Sequence, residues 1–187
     1  MVDERLARLE RELGEVKDRL AIYQLTAAYG PVVDSGDSKA AADFWIENGV
    51  YDWGRGMTEA SESRARGWKD LVRIFDGQEH RRIISAGAAH WSGLPVVAIE
   101  GDTASSLCYS CLFMRTPDGY ESKRVSVCLF QWVRDSGGWR IASRRNRLLD
   151  GSDDASNLLY EARELIRGAV VSSPSEGSAV TLSADDE

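Results

Sequence analysis

The sequence predicts an α+β domain with its helices first, and three observations predict it. Apolar residues recur at spacings of three and four through the first thirty positions. From about residue 90 to 149, short apolar stretches are separated by the turn signals Gly101-Asp102, Thr116-Pro117-Asp118-Gly119 and Asp135-Ser136-Gly137-Gly138. Between these regions, two more helical patterns are interrupted by Gly and Asn. Helical periodicity ahead of an antiparallel meander is the α+β arrangement.

In chain order, Leu6, Leu9, Leu13, Val16, Leu20, Tyr23 and Ala27 form a heptad seam, with Arg, Glu, Lys and Asp filling the other positions. Residues 1–19 therefore read as a helical extension that packs on another subunit, giving a homodimer or homotrimer, or lies on its own sheet. Gly14 costs that helix up to about 1 kcal/mol. The helix is expected to stop at Gly30-Pro31, because proline has no N–H and restricts the residue before it. After the link Val32 to Asp37, Asp37-Ser38 can cap a second helix from Lys39 to about Ile46, ended by Asn48-Gly49. Val50 to Trp53 alternates as a short strand, Gly54-Arg55-Gly56 reads as a turn, and residues 57–66 read as a polar loop or helix start.

Trp68 to Phe75 reads as a third helix ended by Asp76-Gly77, and His80 to Ser85 as a charged loop. Strands follow at about 90–100, 103–115, 120–134 and 139–149. Asp153-Asp154 can cap a last helix bearing Leu158, Leu159, Ala162, Leu165 and Ile166. The domain is thus set at residues 20–150, with a C-terminal helix at 151–170. Residues 171–187, rich in Ser and acid, lack the apolar content to order themselves and read as a disordered tail.

Composition limits the function. A net charge of -7 argues against nucleic acid as a partner, since phosphate binding draws on clustered Lys and Arg. No apolar run reaches the length of a membrane span and the N-terminus is charged from Asp3 onward, so the expected location is cytoplasmic. Three cysteines, Cys108, Cys111 and Cys128, cannot all pair within the chain and suit a reducing compartment. No P-loop, dinucleotide loop or metal-ligand spacing is present, so neither a cofactor nor a metal is expected.

His90, one of two histidines, heads the apolar run that closes at Gly101-Asp102. An imidazole on the wall of a sheet-lined cavity is a candidate proton shuttle; from the run alone, a hydrogen-bonded core or loop histidine is the simpler reading. Four pieces change that balance. They are Arg19 to Leu25 running on to Ala28-Tyr29; Val33-Asp34-Ser35-Gly36-Asp37; His90 followed by Val97 to Ala104; and Gly137-Gly138-Trp139-Arg140-Ile141-Ala142-Ser143-Arg144. In this order the chain resembles the SnoaL-like branch of the NTF2-like superfamily.

The resemblance implies a cystatin-like cone, with helices closing a strongly curved, mainly antiparallel sheet around a pocket. It also implies cofactor-independent lyases, dehydratases and isomerases, beside noncatalytic small subunits of ring-hydroxylating dioxygenases and modules that only bind a ligand. In several such enzymes an Asp after the first helix and a His at the start of the third strand form a base dyad, and a Tyr ends the first helix. The corresponding residues here are Asp34, His90 and Tyr29. Where the family often carries a Gly-Arg-Tyr-like segment this chain has Ser126-Val127-Cys128, so a role resting on that tyrosine has no counterpart.

Strand alternation groups Leu107, Tyr109, Cys111 and Phe113 on one face and Cys108, Ser110, Leu112 and Met114 on the other. The bulkier set is the expected pocket lining, joined by Tyr51, Trp53, Trp45 and Trp91, or else these aromatics are plain core. Arg144 and Asn146 share a face of the last strand, where they can hold a phenolate, carboxylate or developing oxyanion, or form a solvated salt-bridging face. Lys123 and Arg124 are expected on the surface. The expected activity is proton abstraction from a small apolar, aromatic or polycyclic molecule, with His90 as base and Asp34 orienting it.

Overall fold

The computed structural model describes residues 2–54 and 63–171. The tail reading, beyond its first residue, and most of the polar-loop reading at 57–66 fall outside the described residues. None of the described helices is long and apolar enough to cross a membrane.

Helix α1 spans Val2–Asp34 and passes straight through Pro31. The expected stop at Gly30-Pro31 is wrong for a packing reason. Proline near a helix end removes one N–H, and the turn around it is held by burial of Tyr29, Gly30 and Val33 and by the Ser35 N–H returning to the Pro31 carbonyl at 3.0 Å. Gly30 is a contact point: a β-carbon there would lie 1.9 Å from the His90 carbonyl oxygen. The absent side chain lets α1 approach the strand that carries His90.

Asp37 caps α2 (Ser38–Ala42) as expected, its Oδ1 accepting the Ala40 N–H at 3.0 Å. The helix is shorter than predicted, because Trp45 already belongs to β1 (Trp45–Asp52), which runs parallel to β7 (Gly138–Leu148). A register irregularity between Trp45 and Val50 absorbs Asn48-Gly49, and Gly49 packs directly on the Trp45 ring. β2 (Arg64–Arg66) and α3 (Gly67–Phe75) follow, α3 nearly as predicted. The charged loop expected at His80–Ser85 is instead helix α4 (Gln78–Ser85), none of whose residues is fully buried. Its inward side holds His80 and only two apolar residues, Ile83 and Ile84, half-buried in a helix of eight residues, too short a run to stand out as helical in the sequence.

The predicted strand at 90–100 is two strands, β3 (Ala88–Ser92) and β4 (Val96–Glu100), both antiparallel to β5 (Thr103–Thr116). Gly93-Leu94-Pro95 separates them, since Pro95 cannot donate to the ladder. β6 (Gly119–Asp135) completes the meander, and the sheet order is β2-β1-β7-β6-β5-β3 with β4 also on β5. Register shifts at Leu112/Phe113 and Gln131/Trp132 help the long strands to curve.

The two faces of the curved sheet have separate cores. Ala104, Cys108, Cys128, Phe130, Trp132 and Ile141 pack inward against Ile22, Tyr29 and Val33 of α1 and Leu71 and Phe75 of α3. Leu107, Val127 and Leu129 pack outward under Ala155, Leu158 and Ala162. The C-terminal helix breaks at Ala162 into α5 (Asp153–Glu161), over β6 and β7, and α6 (Arg163–Val171), over β4 and β5.

Candidate active site

The cone encloses a cavity of about 370 Å³ between the end of α1, helices α3 and α4, and the inner face of β3, β5, β6 and β7. At one wall Asp34, the last residue of α1, meets His90 in the middle of β3. Asp34 Oδ1 accepts the His90 Nδ1–H at 2.5 Å and Oδ2 accepts the backbone N–H of the same residue at 2.7 Å. One carboxylate thus fixes both the backbone and the ring of His90. With Nδ1 holding the proton, Nε2 carries the lone pair. The Asp37 cap leaves Asp34 free for this contact, and the missing Gly30 side chain permits it.

Beside His90, with ring centroids 5.7 Å apart, stands His80 on α4. Its Nδ1–H donates to the Phe75 carbonyl at 2.6 Å, and its buried Nε2 has no partner among the described residues. Burial holds its pKa below the ordinary histidine value, ahead of the opposing hydrogen bond to the Phe75 carbonyl. His80 is therefore a neutral acceptor at neutral pH. The sequence showed the residue type but placed it in a loop; only Ile83 and Ile84, three and four residues on, mark the helix side that turns it inward.

The opposite wall is made of donors. Arg144 is buried, and its guanidinium lies 4.7 Å from the Tyr29 ring centroid and 5.1 Å from those of Tyr51 and Phe130. Its Nε donates to Asn146 Oδ1 at 3.0 Å, and Nη2 lies 3.6 Å from Cys128 Sγ. No carboxylate pairs with it among the described residues. Asn146 Nδ2 donates to the Tyr51 hydroxyl oxygen at 3.1 Å, which leaves the Tyr51 proton to point elsewhere. The Tyr29 hydroxyl is buried with no hydrogen-bond partner among the described residues, and burial, outweighing the nearby Arg144 charge, keeps it a neutral phenol. Cys128 faces Cys108 across the ladder. Burial opposes ionisation of Cys128, but the Cys108 thiol and the Arg144 charge together bring its pKa below the usual thiol value.

The structure therefore brings Tyr29, Tyr51, Trp53, His90, Arg144 and Asn146 to one cavity, which Cys111 and Trp91 also line, with Asp34 held behind His90. It does not bring the rest. Tyr109 is 52% exposed on the outer face and Phe113 is half-buried away from the cavity. On β5 the smaller set, Cys108, Ser110 and Leu112, faces inward, and of the bulkier set only Cys111 reaches the cavity. The inner side of a tightly curved strand meets its neighbours' side chains, whereas the outer side has room under α5 and α6. Trp45 is core, packed behind Tyr29 and Tyr51 rather than lining the cavity. Arg124, expected on the surface, is half-buried at the cavity. No cluster of three or more His, Cys, Asp or Glu suited to a metal occurs among the described residues.

Comparison with known proteins agrees with this architecture. The sequence profile of the SnoaL-like domain matches residues 14–145. An NTF2-like protein with a cystatin-like fold from Novosphingobium aromaticivorans is 38% identical, covers 82% of this chain and 96% of its own, and superposes with a TM-score of 0.76. A candidate aromatic ring hydroxylase from the same organism is 27% identical over 72% of this chain and 90% of its own, with a TM-score of 0.58. A protein of unknown function from Mycobacterium tuberculosis, 21% identical over 87% of this chain and 93% of its own, shares the fold with a TM-score of 0.63. No curated protein matches.

Proposed function

Because the chain belongs to the SnoaL-like domain family, we propose that it is a lyase or isomerase that uses its own side chains to remove a proton from a small, largely apolar carbonyl compound. The observation that carries this reading is the polarity of the cavity. The histidine side offers acceptors, Nε2 of His90 and Nε2 of His80, with Arg124 beyond them; the other side offers donors, the Tyr29 and Tyr51 hydroxyls and the Arg144 guanidinium. A ligand that satisfies both walls presents a removable proton to the histidines and an oxygen that gains negative charge to the donors. An enolisable ketone does both.

In the proposed reaction His90 Nε2 takes the C–H proton while Asp34 stabilises the imidazolium that forms. The electron pair moves into the carbonyl, and the enolate oxygen develops against Tyr29, Tyr51 and Arg144. For a β-hydroxy ketone, collapse of the enolate expels hydroxide, which the His90 imidazolium protonates to water, giving a dehydratase. For a β,γ-unsaturated ketone the anion is a dienolate, and the His90 imidazolium returns the proton to its γ-carbon, giving an isomerase. Trp53, Trp91 and Leu112 supply the apolar wall that suits an aromatic or polycyclic skeleton.

The test uses 3-hydroxy-1-tetralone, whose loss of water gives fluorescent 1-naphthol, and 2-tetralone in D₂O, whose deuterium uptake is followed by proton NMR. The wild-type protein is expected to accelerate at least one, and His90→Ala to abolish that acceleration. Rates equal to those of buffer for both probes, or an unaffected His90→Ala variant, would overturn the assignment. The likeness to a candidate aromatic ring hydroxylase favours a second reading, a noncatalytic component of an oxygenase. Copurification with an iron-sulfur-containing partner, undiminished in His90→Ala, would select that one.

A further inference from the structure

Helix α1 is 33 residues long, and its buried positions begin only at Ile22. It is held to the cone by Arg19 Nη1 donating to the Val97 carbonyl at 2.7 Å, and by Trp139 Nε1 and Arg134 both donating to Asp18. Ahead of these anchors Leu6, Leu9, Leu13, Val16 and Leu20 are each roughly half exposed, between 47% and 61%, and Val2 is 81% exposed. These six positions follow spacings of four, three, four, three and four. They form one continuous apolar stripe, about 27 Å long at 1.5 Å per residue. The family profile starts at residue 14, so Val2, Leu6, Leu9 and Leu13 lie ahead of the residues it matches.

We infer that residues 2–20 associate, parallel and in register, with the same segment of further copies of this chain. In heptad terms Leu6, Leu13 and Leu20 occupy the a positions and Val2, Leu9 and Val16 the d positions. The flanking g positions are Arg5, Glu12 and Arg19, and the e positions Asp3, Glu10 and Lys17. In a parallel bundle each g residue faces the e residue five positions later on the neighbouring helix. That pairs Arg5 with Glu10 and Glu12 with Lys17, both of opposite sign, so the segment is complementary to itself. All four residues are exposed in the single chain.

Leucine at every a layer with β-branched valine at two of three d layers favours three or four strands over two. Three heptads are short for a free peptide, because helix nucleation is unfavourable. Here the nucleus is supplied: residues 18–34 are already helical against the cone, and the stripe extends that helix. A closed ring of parallel helices also satisfies the cyclic symmetry that homo-oligomers adopt. The inference does not depend on the chemistry proposed for the cavity.

Sedimentation equilibrium of the full chain tests it. A trimer or tetramer is expected, and Leu9→Lys/Leu13→Lys is expected to give a monomer whose cone melts, by tryptophan fluorescence, at the wild-type temperature. Glu12→Lys should weaken assembly at least tenfold, and Glu12→Lys/Lys17→Glu should restore it. Leu6→Cys should form interchain disulfides under mild oxidation that the wild-type chain does not form, because equal a positions adjoin in a parallel bundle. A monomeric or dimeric wild type would overturn the inference. So would an oligomer that survives Leu9→Lys/Leu13→Lys, which would place the interface on the cone, or a Leu6→Cys variant that does not cross-link.

Discussion

The two polar walls of the cavity handle charge in opposite ways. At the His90 wall a carboxylate waits for a cation that exists only after proton uptake: Asp34 is in place at 2.5 Å from Nδ1 and also holds the backbone N–H of His90. At the Arg144 wall the cation is permanent and its neighbours are three aromatic faces, an amide oxygen and a sulfur. A buried guanidinium without a carboxylate is costly to maintain. The first wall already holds the carboxylate its cation will need, whereas the second holds a cation beside the Cys128 sulfur, open to a ligand's negative oxygen.

That contrast is broken most directly at the first wall. His90→Ala should lower turnover of the elimination probe by about 10³-fold or more, and Asp34→Asn by about 10²-fold or more, since an amide can orient the ring but cannot stabilise its cation. Both variants should keep a native melting profile, because the pair sits at the cavity edge and is one-fifth to one-quarter exposed. Stopped assays at fixed probe concentration read the rates, and a loss of less than tenfold in either variant would remove the dyad from the mechanism.

The second wall sharpens the contrast through stability. Arg144→Met should cost about 10² to 10³ in turnover, the usual worth of a donor to a developing oxyanion. Its melting temperature should fall only modestly, because the substitution strands no buried carboxylate, although it leaves Asn146 Oδ1 without its donor and Cys128 without the neighbouring cation. Thermal melts together with rates separate the cases. A variant that loses activity and also melts far lower would show Arg144 to be a structural cation held by its aromatic shell.

How much of this was legible in the sequence follows from what each signal measures. Turn chemistry and apolar periodicity depend on local backbone preference and burial, and they located α1, α3, β5, β6 and β7 closely. The Asp34–His90 pair was legible only through the family resemblance, because 56 residues separate its members and no local pattern links them. Gly30-Pro31 misled, since the same two residues that commonly end helices here serve a close approach to His90. Tyr109 and Phe113 were misplaced because alternation gives two faces without saying which is concave. His80 was missed because α4 is only eight residues long and its half-buried side holds just two apolar residues, Ile83 and Ile84, beside the histidine.

His80 tests whether the acceptor wall has one member or two. His80→Asn should reduce turnover by roughly tenfold if Nε2 only holds a substrate hydroxyl or proton, a smaller loss than at His90. A pH signature accompanies it. The folded-state pKa lies below that of the unfolded chain, so this residue's contribution is fully present above about 6.5 and is lost as pH falls toward the folded value. Wild-type stability should therefore decline below neutral pH more steeply than that of His80→Asn. Denaturant melts between pH 7 and 5 measure the difference, and equal slopes would mean that His80 is not held neutral by the fold.

The smallest effect lies outside both walls, where a charge pair has no catalytic task. Asp52 ends β1 and accepts from Arg147 at 3.0 Å and Arg64 at 2.9 Å. Although burial opposes it, these two partners bring its pKa below the usual carboxylate value. Its contribution is present above the unfolded-state pKa, about 3.9, and disappears as pH falls through the lower folded value. Asp52→Asn should therefore melt a few degrees lower at pH 7, differ progressively less below about pH 4, and leave turnover within a factor of two. A loss of turnover comparable to that of Arg144→Met would mean that Arg147, freed from Asp52, reorganises the end of β7 on which Arg144 and Asn146 stand. The contrast would then hold for the dyad wall alone, because the donor wall would depend on an ion pair outside the cavity.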